Sequence, residues 1–210
     1  MEYIGATGVP VRFDALPIEE GIDFHFILGF AIDADPLGKP QNGTFSPYWA
    51  STLTPKSVAT RAIKAKHPNV KVMAGLSGCS IGKKALNWYI PADTQHWISN
   101  AYSSLRSMVE TYHLDGIDID NKRFGRHNDS FAYCIGELLS LFKNQSIIFF
   151  ASIALFYSIV IPYIKLYKDS GDVIDYVNHQ LYTHRVRTPG GYFEAFKLRT
   201  AQFDKSKVLP

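Results

Sequence analysis

Short apolar segments alternate with amphipathic segments along the chain, and this alternation predicts strands followed by helices. The predicted strands cover residues 2–5, 23–32, 70–76, 115–120, 147–154 and 173–182, and a seventh opens at 207–209. The predicted helices cover residues 55–67, 94–112, 129–142, 158–169 and 190–203. Thr54 is the expected N-cap of the first helix, with Pro55 at its first position. The second helix has the clearest period, because apolar residues recur on one face from Trp97 to Tyr112.

Strand–helix alternation with right-handed crossovers predicts a parallel sheet in an α/β protein. A doubly wound open sheet and a (β/α)8 barrel of the TIM type both fit this pattern. No glycine-rich fingerprint follows the first strand, and a repeat of roughly thirty residues favours the barrel, which takes about 250 residues when complete. The 210 residues therefore predict a single domain over residues 1–210. Its barrel is expected to be truncated after about six to seven β/α units, as a fragment or as an open barrel.

Composition and charge argue against several classes of function. The net charge is +3 and the basic residues are spread along the chain, so no nucleic-acid-binding surface is predicted. Cys79 and Cys134 are too far apart for a zinc site or a disulfide framework and are expected to be buried thiols. His179 and His184 have no carboxylate at metal-ligand spacing, so neither a metal nor another cofactor is predicted. The first residues contain no apolar run, so no signal peptide is predicted and the compartment is left open.

Residues 146–164 carry no charged side chain and reach the lower length limit of a transmembrane helix. The first half of this stretch is rich in β-branched and aromatic residues, which is typical of a buried parallel strand. Pro162 also interrupts it. A buried strand is therefore favoured, and a membrane-tethered chain is the alternative that partitioning after carbonate extraction would distinguish.

The segment 114–124, LDGIDIDNKRF, carries the strongest indication of chemistry. Strand side chains alternate, so Asp118, Asp120 and Lys122 point to one face, and Ile117 and Ile119 point to the other. In a barrel the polar set would face the interior near the carboxyl ends of the strands, where barrel active sites lie. Burying two carboxylates costs several kcal/mol unless they share a proton or meet a cation. A functional site is therefore favoured, and a solvated aspartate cluster at a strand end is the alternative.

The stretch DGIDIDNK resembles the glycoside hydrolase family 18 signature Asp-Gly-x-Asp-x-Asp-x-Glu at every fixed position except the last. Other segments are similar to the plant class III chitinase-like, or narbonin-like, branch of that family. They are EYIG at 2–5, DFHFILGFAID at 23–33, HPNVKV at 67–72, YHLDGIDID at 112–120 and DYVNHQLY at 175–182. The resemblance covers almost the whole chain.

This resemblance implies a retaining, substrate-assisted mechanism. A glutamate protonates the leaving glycosidic oxygen, and the N-acetyl carbonyl of the substrate attacks the anomeric carbon. The last aspartate of the motif orients that acetamide. By the resemblance Asp120 takes this position, Asp118 supports it, and Lys122 stands where the glutamate is expected. The resemblance also implies that Tyr182 contacts the substrate, and Gln180, on the same side, could hydrogen-bond a sugar.

A lysine cannot replace the catalytic glutamate as a proton donor. Its ordinary pKa is about 10.4, and neighbouring aspartates keep it protonated. An ion pair between Lys122 and Asp120 would also occupy the carboxylate that should orient the acetamide. The sequence therefore predicts a chitinase-like protein without hydrolase activity, most simply a monomer, with a storage role or a carbohydrate-binding role toward a chito-oligosaccharide or another glycan. An active glycosidase is the alternative, and it would need Asp115 or Glu194 in the cleft. Members of this branch are commonly extracellular or vacuolar.

Overall fold

The computed structural model of the protein describes residues 1–6, 17–55, 60–124 and 129–209. Seven strands pair in parallel in chain order, β1-β2-β4-β7-β8-β9-β10, and β3 pairs antiparallel with β2. The strands are β1 Glu2–Ile4, β2 Phe24–Ile32, β3 Ser46–Pro47, β4 Val70–Gly78, β5 Ser80–Ile81, β6 Lys84–Ala85, β7 Gly116–Asn121, β8 Phe150–Leu155, β9 Tyr176–His179 and β10 Val208–Leu209. The helices are α1 Thr60–Lys66, α2 Thr94–Tyr112, α3 Asp129–Asn144, α4 Ile161–Ser170 and α5 Pro189–Thr200. This sequential parallel order confirms the predicted α/β arrangement of the barrel type.

Helices cover one face of the sheet because each strand turns every second side chain toward them. Ile117, Ile119 and Ile153 are fully buried in one apolar cluster with Phe131 and Leu138 of α3. Burial of apolar surface of this kind is the main favourable term in folding. It leaves the alternate side chains of the same strands, which are polar in β7, on the opposite face.

Helix α2 spans the predicted range, and local sequence fixes both of its ends. The Asp93 carboxylate accepts a hydrogen bond from the backbone N–H of His96 at 3.0 Å, which caps the first turn. The helix ends at His113, which adopts a left-handed conformation with φ 53°. Its apolar face is buried from Trp97 to Val109.

The start predicted for the first helix borders residues outside the described ones, and the structure differs from the prediction at one cysteine. Pro55 lies in a turn, residues 56–59 lie outside the described residues, and the helix is described from Thr60. The preceding chain is held in a turn because the Trp49 indole donates to the Leu53 carbonyl at 3.1 Å. Cys134 is buried as expected, but Cys79 is exposed because it lies at the turn between β4 and β5.

The sixth predicted strand is shorter than expected and does not reach Tyr182. Strand β9 ends at His179, and residues 181–183 form a single 3-10 turn. The turn is closed by Thr183, whose backbone N–H and hydroxyl both donate to the Gln180 carbonyl, at 3.0 and 2.7 Å. Hydroxyl residues that bond the nearby backbone in this way favour turns over continued strand.

The uncharged stretch 146–164 forms the buried strand β8 and the start of α4. Pro162 sits in the first turn of α4, where its missing N–H needs no partner. In the described part of the chain, no helix is long and apolar enough to span a bilayer.

The Asp33 carboxylate, just after β2, connects the loops that follow the carboxyl ends of the first strands. Its carboxylate accepts four hydrogen bonds: from the backbone N–H groups of Gln41 and Gly43 at 3.0 and 2.9 Å, the Tyr89 hydroxyl at 2.8 Å and the Trp97 indole at 3.0 Å. Burial raises the pKa of Asp33, and these four donors oppose that shift. The carboxylate therefore ties the loop at 41–43 to helix α2.

Replacing Asp33 with alanine leaves these donors without their shared acceptor. We expect Asp33→Ala to lower the free energy of unfolding by about 2–3 kcal/mol, measured by urea denaturation. Asp169→Ala is the control, because Asp169 is exposed and pairs with Lys165 on the surface, and it should leave stability unchanged. Equal stability of the two variants would contradict the role given to Asp33.

Candidate active site

The polar side chains of β7 face the side of the sheet away from the helices. In a parallel sheet, residues paired in register point to the same face. Asp118 pairs with Gly75 of β4 and with Ser152 of β8, and Asp120 pairs with Ser77. Asp118 and Asp120 therefore lie on successive levels of one inward face, as the alternation of the sequence predicts.

Asp118 is fully buried and is held by two hydroxyl groups. One carboxylate oxygen accepts from the Tyr3 hydroxyl at 2.7 Å, and the other accepts from the Ser152 hydroxyl at 2.5 Å. Burial raises the pKa of Asp118 to about 6, and these hydrogen bonds and the charge of Lys122 limit the rise. Strand β8, which neighbours β7, and strand β1, three strands away across the sheet, thus supply the donors that stabilise this buried carboxylate.

Asp120 is also buried, and both of its oxygens are engaged. Its Oδ2 lies 3.2 Å from Lys122 Nζ, and its Oδ1 accepts from the Gln180 amide at 2.9 Å. The Gln180 carbonyl oxygen accepts from the Tyr182 hydroxyl at 3.0 Å. Lys122, Asp120, Gln180 and Tyr182 therefore form one continuous polar network across β7 and the end of β9.

The charges of this network are set by burial and by mutual attraction. Burial raises the pKa of Asp120 to about 7, with Lys122 lowering it and Asp118 raising it further. Burial is also the largest influence on Lys122 and lowers its pKa, but Asp120 and Tyr182 together outweigh it. The net pKa of Lys122 is raised, so the residue stays a cation at neutral pH.

The structure brings all five predicted site residues together, with one correction. Asp118, Asp120, Lys122 and Gln180 occupy the inner network as expected, and only 4% of Gln180 is exposed. Tyr182 was predicted on a strand, but it lies in the turn after β9 and is 74% exposed. Its hydroxyl reaches back to Gln180, and its ring faces solvent.

Neither carboxylate named as a substitute acid lies in this network. Asp115 precedes β7 at the opposite end from Lys122, and its carboxylate contacts Lys64 Nζ at 2.6 Å and the Val72 N–H at 2.7 Å. Glu194 lies on α5, is mostly exposed, and pairs with Lys197. Both carboxylates have structural partners of their own.

Three residues that support the site were not predicted from the sequence. Tyr3 and Ser152 bond Asp118, and buried Tyr163 donates to the backbone carbonyl of Asn121 at 2.9 Å. Strand alternation could have placed Tyr3 and Ser152 on the inward face, because both lie on predicted strands. Tyr163 lies on α4 and carries no comparable signal, since its reach to β7 depends on tertiary packing.

The histidines among the described residues form no metal site. His25 is buried in the sheet interior beside Phe150 and Tyr176, as a core residue is expected to be. His179 and His184 contact each other through their Nε2 atoms at 2.8 Å. Across residues 1–6, 17–55, 60–124 and 129–209, no group of three or more histidine, cysteine or carboxylate side chains could hold a metal ion.

Comparisons with known proteins give close relatives among plant chitinases, although no family model matches the chain. The chain is 40% identical over 214 residues to Chitinase 1 of Tulipa saxatilis subsp. bakeri, an alignment that covers 99% of this chain and 67% of that protein. The catalytic domain of a family GH18 chitinase from the fern Peteris ryukyuensis superposes with a TM-score of 0.94 at 40% identity, covering 99% of this chain and 77% of that one. A family 18 chitinase from Crocus vernus superposes with a TM-score of 0.90 at 31% identity, covering 100% and 78%.

The buried carboxylates predict an unusual dependence of stability on pH. The pKa of Asp120 is about 7 in the folded protein and ordinarily 3.8, so between these values the folded state holds a proton that the unfolded state has released. The contribution of Asp120 to stability is therefore present at low pH and is lost as pH rises through 7. Asp120→Asn cannot titrate, so its free energy of unfolding should rise relative to wild type by about 2–4 kcal/mol from pH 4 to pH 8.

Chemical denaturation across this pH range measures the difference. Asp169→Asn is the matched control, since it makes the same chemical change at an exposed position. Parallel pH profiles for wild type and Asp120→Asn would refute the raised pKa of Asp120.

Proposed function

The chain belongs to the plant chitinase-like proteins of glycoside hydrolase family 18, and from this premise we propose that it has lost hydrolase activity because Lys122 replaces the catalytic glutamate. The observation that carries the proposal is the 3.2 Å contact between Lys122 Nζ and Asp120 Oδ2. General acid catalysis needs a group that releases its proton near the working pH. The raised pKa of Lys122 moves it further from that requirement.

Asp120 could not take over the role of the acid in this arrangement. Its pKa of about 7 would leave it partly protonated at neutral pH. However, Lys122 and Gln180 donate to its two oxygens, so the carboxylate form is the one that satisfies both contacts. A proton on either oxygen would make that oxygen a poorer acceptor and weaken its contact.

The same network supports weakened glycan binding. An acetamide that uses Asp120 as its acceptor must displace Lys122 or Gln180, each of which is held at hydrogen-bonding distance. Tyr182 still presents an exposed ring beside the network, and aromatic faces of this kind can pack on sugar rings. We therefore propose a residual carbohydrate-binding role toward chito-oligosaccharides, or a storage role if binding has been lost with catalysis.

An active glycosidase is the competing function, and the chitinase names of the relatives favour it. It would need another carboxylic acid within reach of the glycosidic oxygen. Asp115 is held by Lys64 and Val72, and Glu194 pairs with Lys197, so neither is free to serve without giving up a present contact.

A paired assay on the purified protein tests the proposal directly. We expect no hydrolysis of chitin oligosaccharides above background, together with weak binding of the same oligosaccharide by calorimetry. Binding without turnover supports a carbohydrate-binding role, and the absence of both supports storage. Turnover above background would refute the proposed loss of activity.

Two substitutions at position 122 separate loss of the acid from obstruction of the cleft. Lys122→Gln removes the ion pair without supplying an acid, so it should bind the oligosaccharide more tightly than wild type and stay inactive. Lys122→Glu removes the ion pair and also supplies a carboxylic acid. General acid catalysis of this kind contributes about 10²–10⁴-fold to the rate. Hydrolysis by Lys122→Glu but not Lys122→Gln is the expected result. If neither variant binds or turns over the oligosaccharide, the cleft has changed beyond position 122 and the role given to Lys122 alone is wrong.

A further inference from the structure

Two histidines meet on the side of β9 that faces away from the candidate active site. Asp118 and Ser152 face inward in register, so Leu155, three residues after Ser152, faces outward, and His179 pairs with Leu155. His179 is 1% exposed, and its Nε2 lies 2.8 Å from Nε2 of His184, which is half-buried. At this distance one ring must donate a hydrogen bond and the other must accept it.

This histidine contact lies beside a buried cation that has no acidic partner. Arg199 of α5 is 4% exposed, and its hydrogen bonds within the described residues go to neutral oxygens, Oε1 of Gln202 at 2.7 Å and the Tyr157 carbonyl at 3.2 Å. Its Nε and the Nδ1 of His179 are buried without a hydrogen-bond partner. In the described parts of the chain no carboxylate pairs with Arg199 or with either histidine. Additional positive charge is therefore poorly tolerated here.

The same chain segment carries the histidine contact on one side and part of the active-site network on the other. Gln180 donates to Asp120, and Tyr182 donates to Gln180. Four residues after Gln180, His184 reaches back to His179. The histidine contact thus fixes the far end of the turn that positions Gln180 and Tyr182.

The groups that face this segment come from three sides. Arg199 faces the histidines from α5, and the Tyr157 ring lies 5.6 Å from the His184 ring after β8. Asp120 and Lys122 of the β7 region face the segment through Gln180 and Tyr182.

We propose that the hydrogen bond between His179 and His184 is an acid-sensitive contact. It holds residues 180–184 against the end of β9 and breaks when both rings are protonated. The consequence for glycan binding rests on the proposed function, whereas the opening itself does not. Two neutral rings share one N–H between them, and a single added proton still leaves one acceptor. Two protonated rings have no acceptor left and place two positive charges at the contact, next to Arg199.

The titration of the two rings agrees with this arrangement. Burial lowers the pKa of His179 to about 4, with the charges of Arg199 and His184 adding to the shift. Burial and then Arg199 also lower the pKa of His184. Because both folded values lie below the ordinary value of 6.5, the contact is complete at neutral pH and is lost as pH falls toward 4.

Hydrogen exchange followed by mass spectrometry tests the proposal on the intact chain. Exchange rates of a peptide covering residues 180–188 are converted to protection factors at pH 7 and at about pH 4, with a peptide from α3 as the internal reference for global unfolding. We expect wild type to lose at least about tenfold protection in residues 180–188 at the lower pH, with α3 unchanged. His184→Ala should show the low protection at both pH values. His96→Ala, a change at an exposed histidine of α2, should behave as wild type.

Protection that is the same at both pH values in wild type would overturn the proposal. So would a pH dependence that survives in His184→Ala, because Asp120 and the other titrating groups of the cleft are still present in that variant. Calorimetry with a chito-oligosaccharide at the same two pH values separates this inference from the proposed function. Binding that weakens at the lower pH in wild type but not in His184→Ala supports both. No binding at either pH, with the exchange result unchanged, refutes only the glycan-binding role and leaves the acid-sensitive contact supported.

Discussion

The structure depends on the burial of two carboxylates in the strand β7. Asp118 and Asp120 are at most 1% exposed, and each buried charge costs several kcal/mol unless hydrogen bonds and cations offset it. The compensating donors come from β1, β8 and the end of β9, through Tyr3, Ser152 and Gln180. These strands are distant in sequence, so the carboxylates are stable only when the sheet is assembled. The polar face of one strand therefore ties the active-site geometry to the completeness of the fold around it.

Lys122 fits this constraint well, and under the proposed loss of the catalytic acid this explains how the chain would keep its fold. A glutamate at position 122 would add a third carboxylate near Asp118 and Asp120, and like charges at close range raise each other's pKa. That arrangement suits a proton donor but is unfavourable for the folded state. A lysine offers a cation to Asp120 at 3.2 Å and lowers the pKa of both aspartates. Under the proposal, a lysine at position 122 thus puts an ion pair where a third carboxylate would destabilise the fold, in line with the general conflict between stability and activity.

The sequence was sufficient for features that depend on local pattern and insufficient for those that depend on packing. Alternation placed Asp118, Asp120 and Lys122 on one face, and the period of apolar residues placed α2. The predicted end of β9 at Tyr182 was wrong because the Thr183 hydroxyl bonds the Gln180 carbonyl and closes a turn. The pattern of hydrophobic residues does not reveal such a competition between a local turn and a continued strand. Tyr163 and the contact of His184 with His179 could not be predicted, since both depend on which elements pack side by side.

Burial shifts pKa values in opposite directions on the two sides of β9. Burial disfavours whichever form of a group is charged, so it raises the pKa of Asp120 on the inner side and lowers the pKa of His179 on the outer side. Through linkage, the aspartate makes stability fall with rising pH between about 4 and 7, and the histidine makes stability rise over nearly the same interval. The two slopes oppose each other, so the wild-type stability profile is shallower than either group alone would produce. Asp120 and His179 are both predominantly neutral only between these pKa values. In that interval a protonated Asp120 leaves Lys122 without its counter-charge, so the contacts of Asp120 with Lys122 and Gln180 and the contact of His179 with His184 are present together only toward its upper end.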